Sequence, residues 1–573
     1  NRDNICKWKV SEGFGQIFGK SAGVNIKDAE CVAPANIDAI FENFIIIDHE
    51  RYINIDYEWT FDFPVPIDFI KYRTLLYFFS NNRGSLQNAI NQDDFLKRFG
   101  IEERDADIFS DMEEHFQTYV HGEGRKYIYN SNYAQYNVGY LENPAKLYKE
   151  DKINNLRRHA LNKTKISDLV RVGEQTEYTR NNFSINIETL PVANQLASGR
   201  CWIFAGCNIL RERIAKKYNL EDFELSQNYV AFYDKLEKCN YFIETVISLI
   251  DKNNDDRTLS YILTRGIEDG GQWDMFVNIV KKYGLVPKDA FNETYQSSNT
   301  KEIDNILNRY LRKFTSTIRK MHHEGKDNEI KSLHEKSIKE IYNLLCNCFG
   351  VPPVTFSFEY VDKDKNYNII KDITPHEFLE DFVEASLDEY VSIINSPTED
   401  KPFNELYTVK YLGNVIEGNK IKYINLPIER FKELVVMQLS EKEAVWFGSD
   451  CSKYGDREEG LWDDTSYSEE DLLQIDISMD KQTMLDMRES AMNHAMVFTG
   501  VNIDNQKPTK WKIENSWGDK TAHKGYYVAT DTWFDNYVYQ AVINKKYLSA
   551  EELKILANDP IELEPWDPMG TLA

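Results

Sequence analysis

Apolar residues change their spacing several times along the chain, and each change predicts a different kind of element. From 198 to 218 they recur at helical spacing, at Ile203, Cys207, Leu210 and Ile214. Ser198 stands at the start as a candidate N-cap, and Arg211, Arg213, Lys216 and Lys217 gather toward the end, where cations complement the helix dipole. Cys201 then falls in the first turn. From about 301 to 400 the pattern is helical and heavily charged, with Asn305–Phe314 and Lys331–Cys346 as periodic segments that close at Gly350, Pro352 and Pro353. A helical insertion is expected there. Beyond about 420 come short β-rich runs, Lys422–Leu426, Ala444–Phe447, Ala495–Val501, Trp511–Glu514 and Gly525–Thr530, separated by Gly, Asp and Asn turns.

Residues 1 to about 150 mix apolar runs with turn signals. Pro64 and Pro66 frame an extended segment, Ile70–Phe79 reads as a helix or a buried strand, and alternation at Tyr127 and Tyr129 suits a half-buried strand within a group of five tyrosines between 127 and 140. No internal repeat or Gly/Ser linker marks a boundary. The longest apolar runs, such as Phe44–Ile47 and Leu75–Phe79, are far short of a membrane span.

Length changes the picture first, because 573 residues exceed a single core and predict two or three units. The chain is 42% apolar and 13% aromatic, with 34 Tyr and 31 Phe to fill cores. A formal charge of −25 disfavours duplex nucleic acid and anionic membrane as broad partners. Eight cysteines are too sparse for a disulfide framework, which suits a reduced, cytoplasmic protein; Cys6 and Cys31 are the pair most open to bonding. Cys346 and Cys348 form a C-x-C without a second Cys or His pair at zinc spacing, so no metal and no cofactor is expected. The numbering begins at Asn1, so an upstream targeting segment would lie outside this sequence.

A thiol attacks as its thiolate, and a helix start with a nearby imidazole lowers its pKa most effectively. Cys201 has the helix start. Gln195, six residues earlier, could join the Cys201 N–H in holding an oxyanion. His494, at the entry to a strand, is the best placed of ten histidines to serve as base. The strand Trp511–Glu514 ends at Asn515, whose carboxamide could orient the imidazole while Trp517 shields that bond from water.

The order of Gln195, Ser198-Gly199-Arg200-Cys201-Trp202, Asn493-His494-Ala495-Met496 and Glu514-Asn515-Ser516-Trp517-Gly518 resembles the papain superfamily. Phe223–Asn228, Asp234–Asn240, Asp269–Met275, Ala444–Gly448 and Pro565–Ala573 resemble its bleomycin hydrolase/aminopeptidase C subgroup, over roughly residues 155 to 573. The resemblance implies an α+β, papain-like two-lobed fold with a helical lobe, a β-barrel-like lobe, a helical insertion and an additional N-terminal domain. The expected divisions are 1–150 for the extension, 151–310 for the lobe bearing the nucleophile, 311–420 for the insertion, 421–555 for the lobe bearing His494 and Asn515, and 556–573 for a C-terminal arm. Papain-like proteases separate Cys and His by about 130–150 residues; the interval here is 293, which the insertion explains.

The resemblance further implies a cysteine aminopeptidase acting through an acyl-thioester on peptides with a free N-terminus, self-compartmentalised as a homohexamer. Gly270 and Gly271 would pair with substrate backbone, Asn493 and Trp517 would border the cleft, and the Ala573 carboxylate would receive the substrate ammonium. Two positions depart from the subgroup: Asn493 stands where Thr is common, and Ser449 where Cys is common. Three rivals stand beside this reading: an endopeptidase, if the arm does not enter the cleft; a transglutaminase-like acyltransferase, disfavoured by Asn515; and a docking subunit whose residues 1–150 bind a protein partner.

Overall fold

The computed structural model describes residues 4–9, 11–19, 29–38, 40–48, 51–54, 59–82, 86, 90–121, 146, 148–171, 180–383 and 387–572. It divides into two compact units, Asn1–Lys152 and Ile153–Ala573.

The first unit is built on an antiparallel sheet in the order Ile5–Lys7, Glu30–Val32, Val65–Pro66. Pro66 lacks an N–H, and its strand lies at the edge where none is needed. The segment read as helix or strand is a helix, Ile67–Asn81, which buries Phe69, Tyr72, Leu75, Leu76 and Phe79 on one face. That face meets Phe14, Phe18, Phe109 and Phe116 in a core of its own. Arg73 is buried there and paired with Asp38 at 2.9 Å and Glu113 at 2.7 Å. Cys6 stands opposite Cys31 in register, and both thiols are free. The tyrosines at 127 to 140 lie outside the described residues.

The second unit joins a helical layer to a sheet of twelve strands. The helix Cys201–Lys217 packs against the helices Gln227–Ser248 and Trp273–Tyr283 and against the strands Val445–Ser449 and His494–Asp504. The centre of the sheet runs in the order Tyr526–Thr530, Lys507–Glu514, His494–Asp504, Val445–Ser449, Val538–Asn544, Tyr390–Ile394. A second face of Gln227–Ser248 carries the helices Lys301–His323 and Ile330–Phe349.

Long helices account for the charged stretch only as far as Phe349, with a short helical return at Pro375–Phe378 and Leu379–Val383. Phe356–Val361 and Tyr367–Ile373 form a hairpin, with Phe356, Phe358 and Tyr360 alternating toward one face. Tyr390–Ile394 and Leu406–Val409, buried on both faces, belong to the main sheet, so the sheet lobe starts before residue 421. The helical expectation for 311–420 is corrected accordingly. High charge marks the solvent faces of helices and strands alike, and short runs carry little periodicity.

Candidate active site

Cys201 opens the helix Cys201–Lys217, but Ser198 is not its cap. Arg200 holds that position, its carbonyl receiving the Ile203 and Phe204 N–H groups at 3.0 and 3.1 Å. Ser198 Oγ instead donates to the Gln195 carbonyl at 2.7 Å and accepts from Arg200 Nε at 3.0 Å. The Arg200 guanidinium, 1% exposed, forms a two-bond pair with Glu293 at 3.1 and 3.0 Å. The turn before Cys201 is therefore braced from inside.

His494 begins its strand opposite Ser449. Antiparallel pairing sets Val497 opposite Glu514 at the strand end, and the residues that follow, Asn515 and Trp517, lie alongside the imidazole. His494 Nε2 lies 2.8 Å from Asn515 Oδ1. The Ser516 N–H also donates to that oxygen, at 2.8 Å, which fixes it as an acceptor and makes Nε2 the protonated nitrogen. Nδ1 keeps its lone pair. The Trp517 ring stacks on the imidazole with centroids 5.0 Å apart.

Gln195 is tied to Ser516, the residue after Asn515. Its N–H donates to the Ser516 carbonyl at 2.8 Å and its Oε1 accepts from Ser516 Oγ at 2.6 Å. Its Nε2 donates one hydrogen to the Ser198 carbonyl at 2.7 Å. A second hydrogen remains on that nitrogen for a ligand.

Burial pushes the Cys201 thiol up to about 11, against the opposing pull of the N–H groups of Ala495, Trp202 and Cys201 itself. The Ala495 N–H lies 3.4 Å from the sulfur. Burial also draws His494 down to about 4, opposed by the Asn515 bond. The helix start was expected to lower the thiol, and desolvation outweighs it.

The residues expected to line the cleft divide. Gly271 packs face-on against Trp202, so closely that a Cβ there would stand 2.4 Å from the indole. Lys238 Nζ donates to the carbonyls of Glu268 and Gly270, fixing the glycine pair from behind. Both ends of the Asn493 amide are engaged by the loop after the strand Val445–Ser449, its Nδ2 donating to Asp450 and its Oδ1 accepting from the Cys451 N–H at 3.1 Å.

The arm is described as far as Leu572. Asp567 pairs with buried Lys401 at 3.0 Å, Arg257 lies 3.8 Å over the Trp566 ring, and Thr571 Oγ donates to the Met492 carbonyl at 2.8 Å. Leu572, 4% exposed, reaches the Gly448 backbone beside Ser449 and His494. Ala573, expected to carry the clamping carboxylate, lies outside the described residues.

Sequence reasoning missed three supports of this site: the Arg200–Glu293 pair, the Ser516 hydroxyl on Gln195, and buried Glu514, which accepts from Arg211 and Asn208 of the nucleophile helix at 2.8 and 2.9 Å. Arg211 stands four residues after Cys207 and three before Ile214, on the apolar stripe of its helix, and that position is the signal that finds a buried charge. Among the described residues there is no cluster of three His, Cys, Asp or Glu able to hold a metal, and no helix long and apolar enough to cross a membrane.

Residues 136–570 match the model of the Peptidase C1-like family. Aminopeptidase C of Lactobacillus delbrueckii subsp. lactis is 46% identical over 436 residues, covering 74% of this chain and 97% of the relative. Bleomycin hydrolase of Mus musculus is 43% identical over 395 residues, 67% of this chain and 87% of the relative. The crystal structure of PepW from Lactobacillus rhamnosis HN001 superposes with a TM-score of 0.75 at 44% identity, covering 77% of this chain and all of that one. With a helix-borne cysteine facing a His–Asn strand pair and these relatives on either side, the chain belongs to the Peptidase C1-like family, as a papain-like cysteine peptidase of the aminopeptidase C and bleomycin hydrolase type.

Proposed function

We propose that the chain releases single N-terminal residues from peptides through a Cys201 acyl-thioester. His494 Nδ1 takes the thiol proton, and the thiolate attacks the first peptide carbonyl. The Cys201 N–H and the second Gln195 Nε2 hydrogen hold the oxyanion, and the imidazolium then protonates the leaving amine. Water releases the acyl group. Asn515 holds the imidazole, Trp517 covers their bond, and Gly270 and Gly271 present backbone to the substrate, with Asn493 at the cleft border.

The observation that carries the exopeptidase reading is the arm, seated through Thr571 and Leu572 beside His494. A chain end at Ala573 then offers a carboxylate to a substrate ammonium and obstructs a longer peptide. Cys201→Ser should abolish thiol-dependent release, and deleting residues 571–573 should turn products from single residues to internal fragments. Unchanged product sizes after the deletion would overturn the clamp.

Assembly as a homohexamer enclosing its active sites, in the cytoplasm, completes the proposal. One observation favours an added docking role: the family match begins at residue 136, so the core around Phe18 and Phe116 is extra to the peptidase. Removing residues 1–152 should leave peptide hydrolysis intact and abolish any partner association.

A further inference from the structure

Behind the nucleophile turn lies a buried charge cluster that the mechanism does not use. Lys235, on the helix Gln227–Ser248, places its ammonium between Asp269, at 2.5 Å, and Asp304 in the first turn of Lys301–His323. The Lys235 side chain is 2% exposed and those of Asp269 and Asp304 are 10% and 17%. The two carboxylates share a cation, yet only one of them touches the site.

Asp269 Oδ2 accepts the Gly199 N–H at 2.8 Å, two residues before Cys201, and also accepts from the Thr300 hydroxyl. Its own carbonyl accepts from Trp202 Nε1 at 2.7 Å, one residue after Cys201. Asp269 immediately precedes Gly270 and Gly271. Gly199 lies against it so closely that a Cβ at 199 would stand 2.8 Å from Asp269 Cβ. One residue thus grips the chain on both sides of the nucleophile and begins the segment proposed to receive substrate backbone.

We propose that Asp269 is a positioning residue that sets the nucleophile turn and the glycine edge in mutual register. Lys235, with Asp304 as its second counter-charge, is the anchor that holds the Asp269 carboxylate in place. Burial alone would raise that carboxyl, but Lys235, Thr300 and the Gly199 N–H more than offset it and keep it ionised. The helix Lys301–His323 is joined to the cluster through Asp304 and the preceding Thr300. The inference rests on the peptidase reading for its kinetic arm only.

Three full-length variants test it. Asp269→Asn and Asp304→Asn each remove one negative charge from the same ammonium, but only the first touches the Gly199 N–H. Gly199→Ala keeps every charge and pushes the turn off Asp269. Rates are expressed per Cys201 titrated with an alkylating reagent, so that unfolded protein does not count. The expected result is a kcat lower by about tenfold or more in Asp269→Asn and Gly199→Ala, with KM changed far less, and Asp304→Asn within about twofold of the native enzyme. Equal losses in both Asn variants, or native kcat in Asp269→Asn, would overturn the assignment. A second readout needs no turnover: Cys201 alkylation by iodoacetamide should differ from the native rate by about fivefold or more in the two turn variants and stay near it in Asp304→Asn. Absence of thiol-dependent hydrolysis in the native chain would overturn the proposed function alone, and the alkylation series would still decide the role of Asp269.

Discussion

The hydrogen bond from His494 Nε2 to Asn515 Oδ1 decides what each ring nitrogen can do, since an amide oxygen held by the Ser516 N–H can only accept. On the proposed mechanism, His494 is neutral above about 4 and Cys201 keeps its thiol proton up to about 11, so between these limits the pair holds one proton to transfer. Below that window there is no base; above it there is no acid for the leaving amine. We therefore expect kcat/KM to fall on the acid side as pH drops toward about 4 and to hold well into the alkaline range, as a pH profile with a neutral-side-chain substrate would report. The four residues proposed for this chemistry were legible as candidates because each sits in a short local context with a chemical reason for its type. Arg200 was not. Its partner Glu293 is 93 residues away, and a basic residue beside a nucleophile reads from sequence as a surface charge until the fold buries it.

Among elements, the turn at Gly270 and Gly271 shows how packing and function coincide. A glycine pair in a cleft suggests room for substrate backbone, yet Gly271 is also required by the Trp202 indole beneath it. Gly271→Ala must displace a fully buried ring that follows the nucleophile. The expected outcome is a loss of about 1–3 kcal/mol of stability, measured by denaturant unfolding, together with reduced kcat/KM. The nucleophile helix and the strands around His494 and Asn515 were readable from periodicity. The hairpin at 356–373 and the strand Tyr390–Ile394 were not: the hairpin is made of short charged runs with little periodicity beyond the Gly350 and Pro352-Pro353 break, and the pairing partners of Tyr390–Ile394 lie far along the chain. The strand Tyr390–Ile394 pairs with Tyr423–Asn425 on one side and Val538–Asn544 on the other, contacts that no local pattern announces.

At the scale of the molecule, the peptidase unit and the residues before it each have a core, and the proposed hexamer would gather six 67.1 kDa chains. A solution mass by light scattering should read six chains; a stable monomer would remove the compartment from the proposal. Within the peptidase unit, the Arg211–Glu514 pair joins the helix that begins at Cys201 to the strand that ends one residue before Asn515. Both side chains are essentially without solvent contact, at 0% and 1% exposure, so separating them would strand a charge in the interior at a cost of about 3–5 kcal/mol. On warming, the cleft should have no gentle way to come ajar while the rest of the unit stays folded. Loss of hydrolysis and loss of buried tryptophan fluorescence should trace the same melting curve, and replacing both Arg211 and Glu514 by apolar residues should pull the two curves apart, with activity fading first.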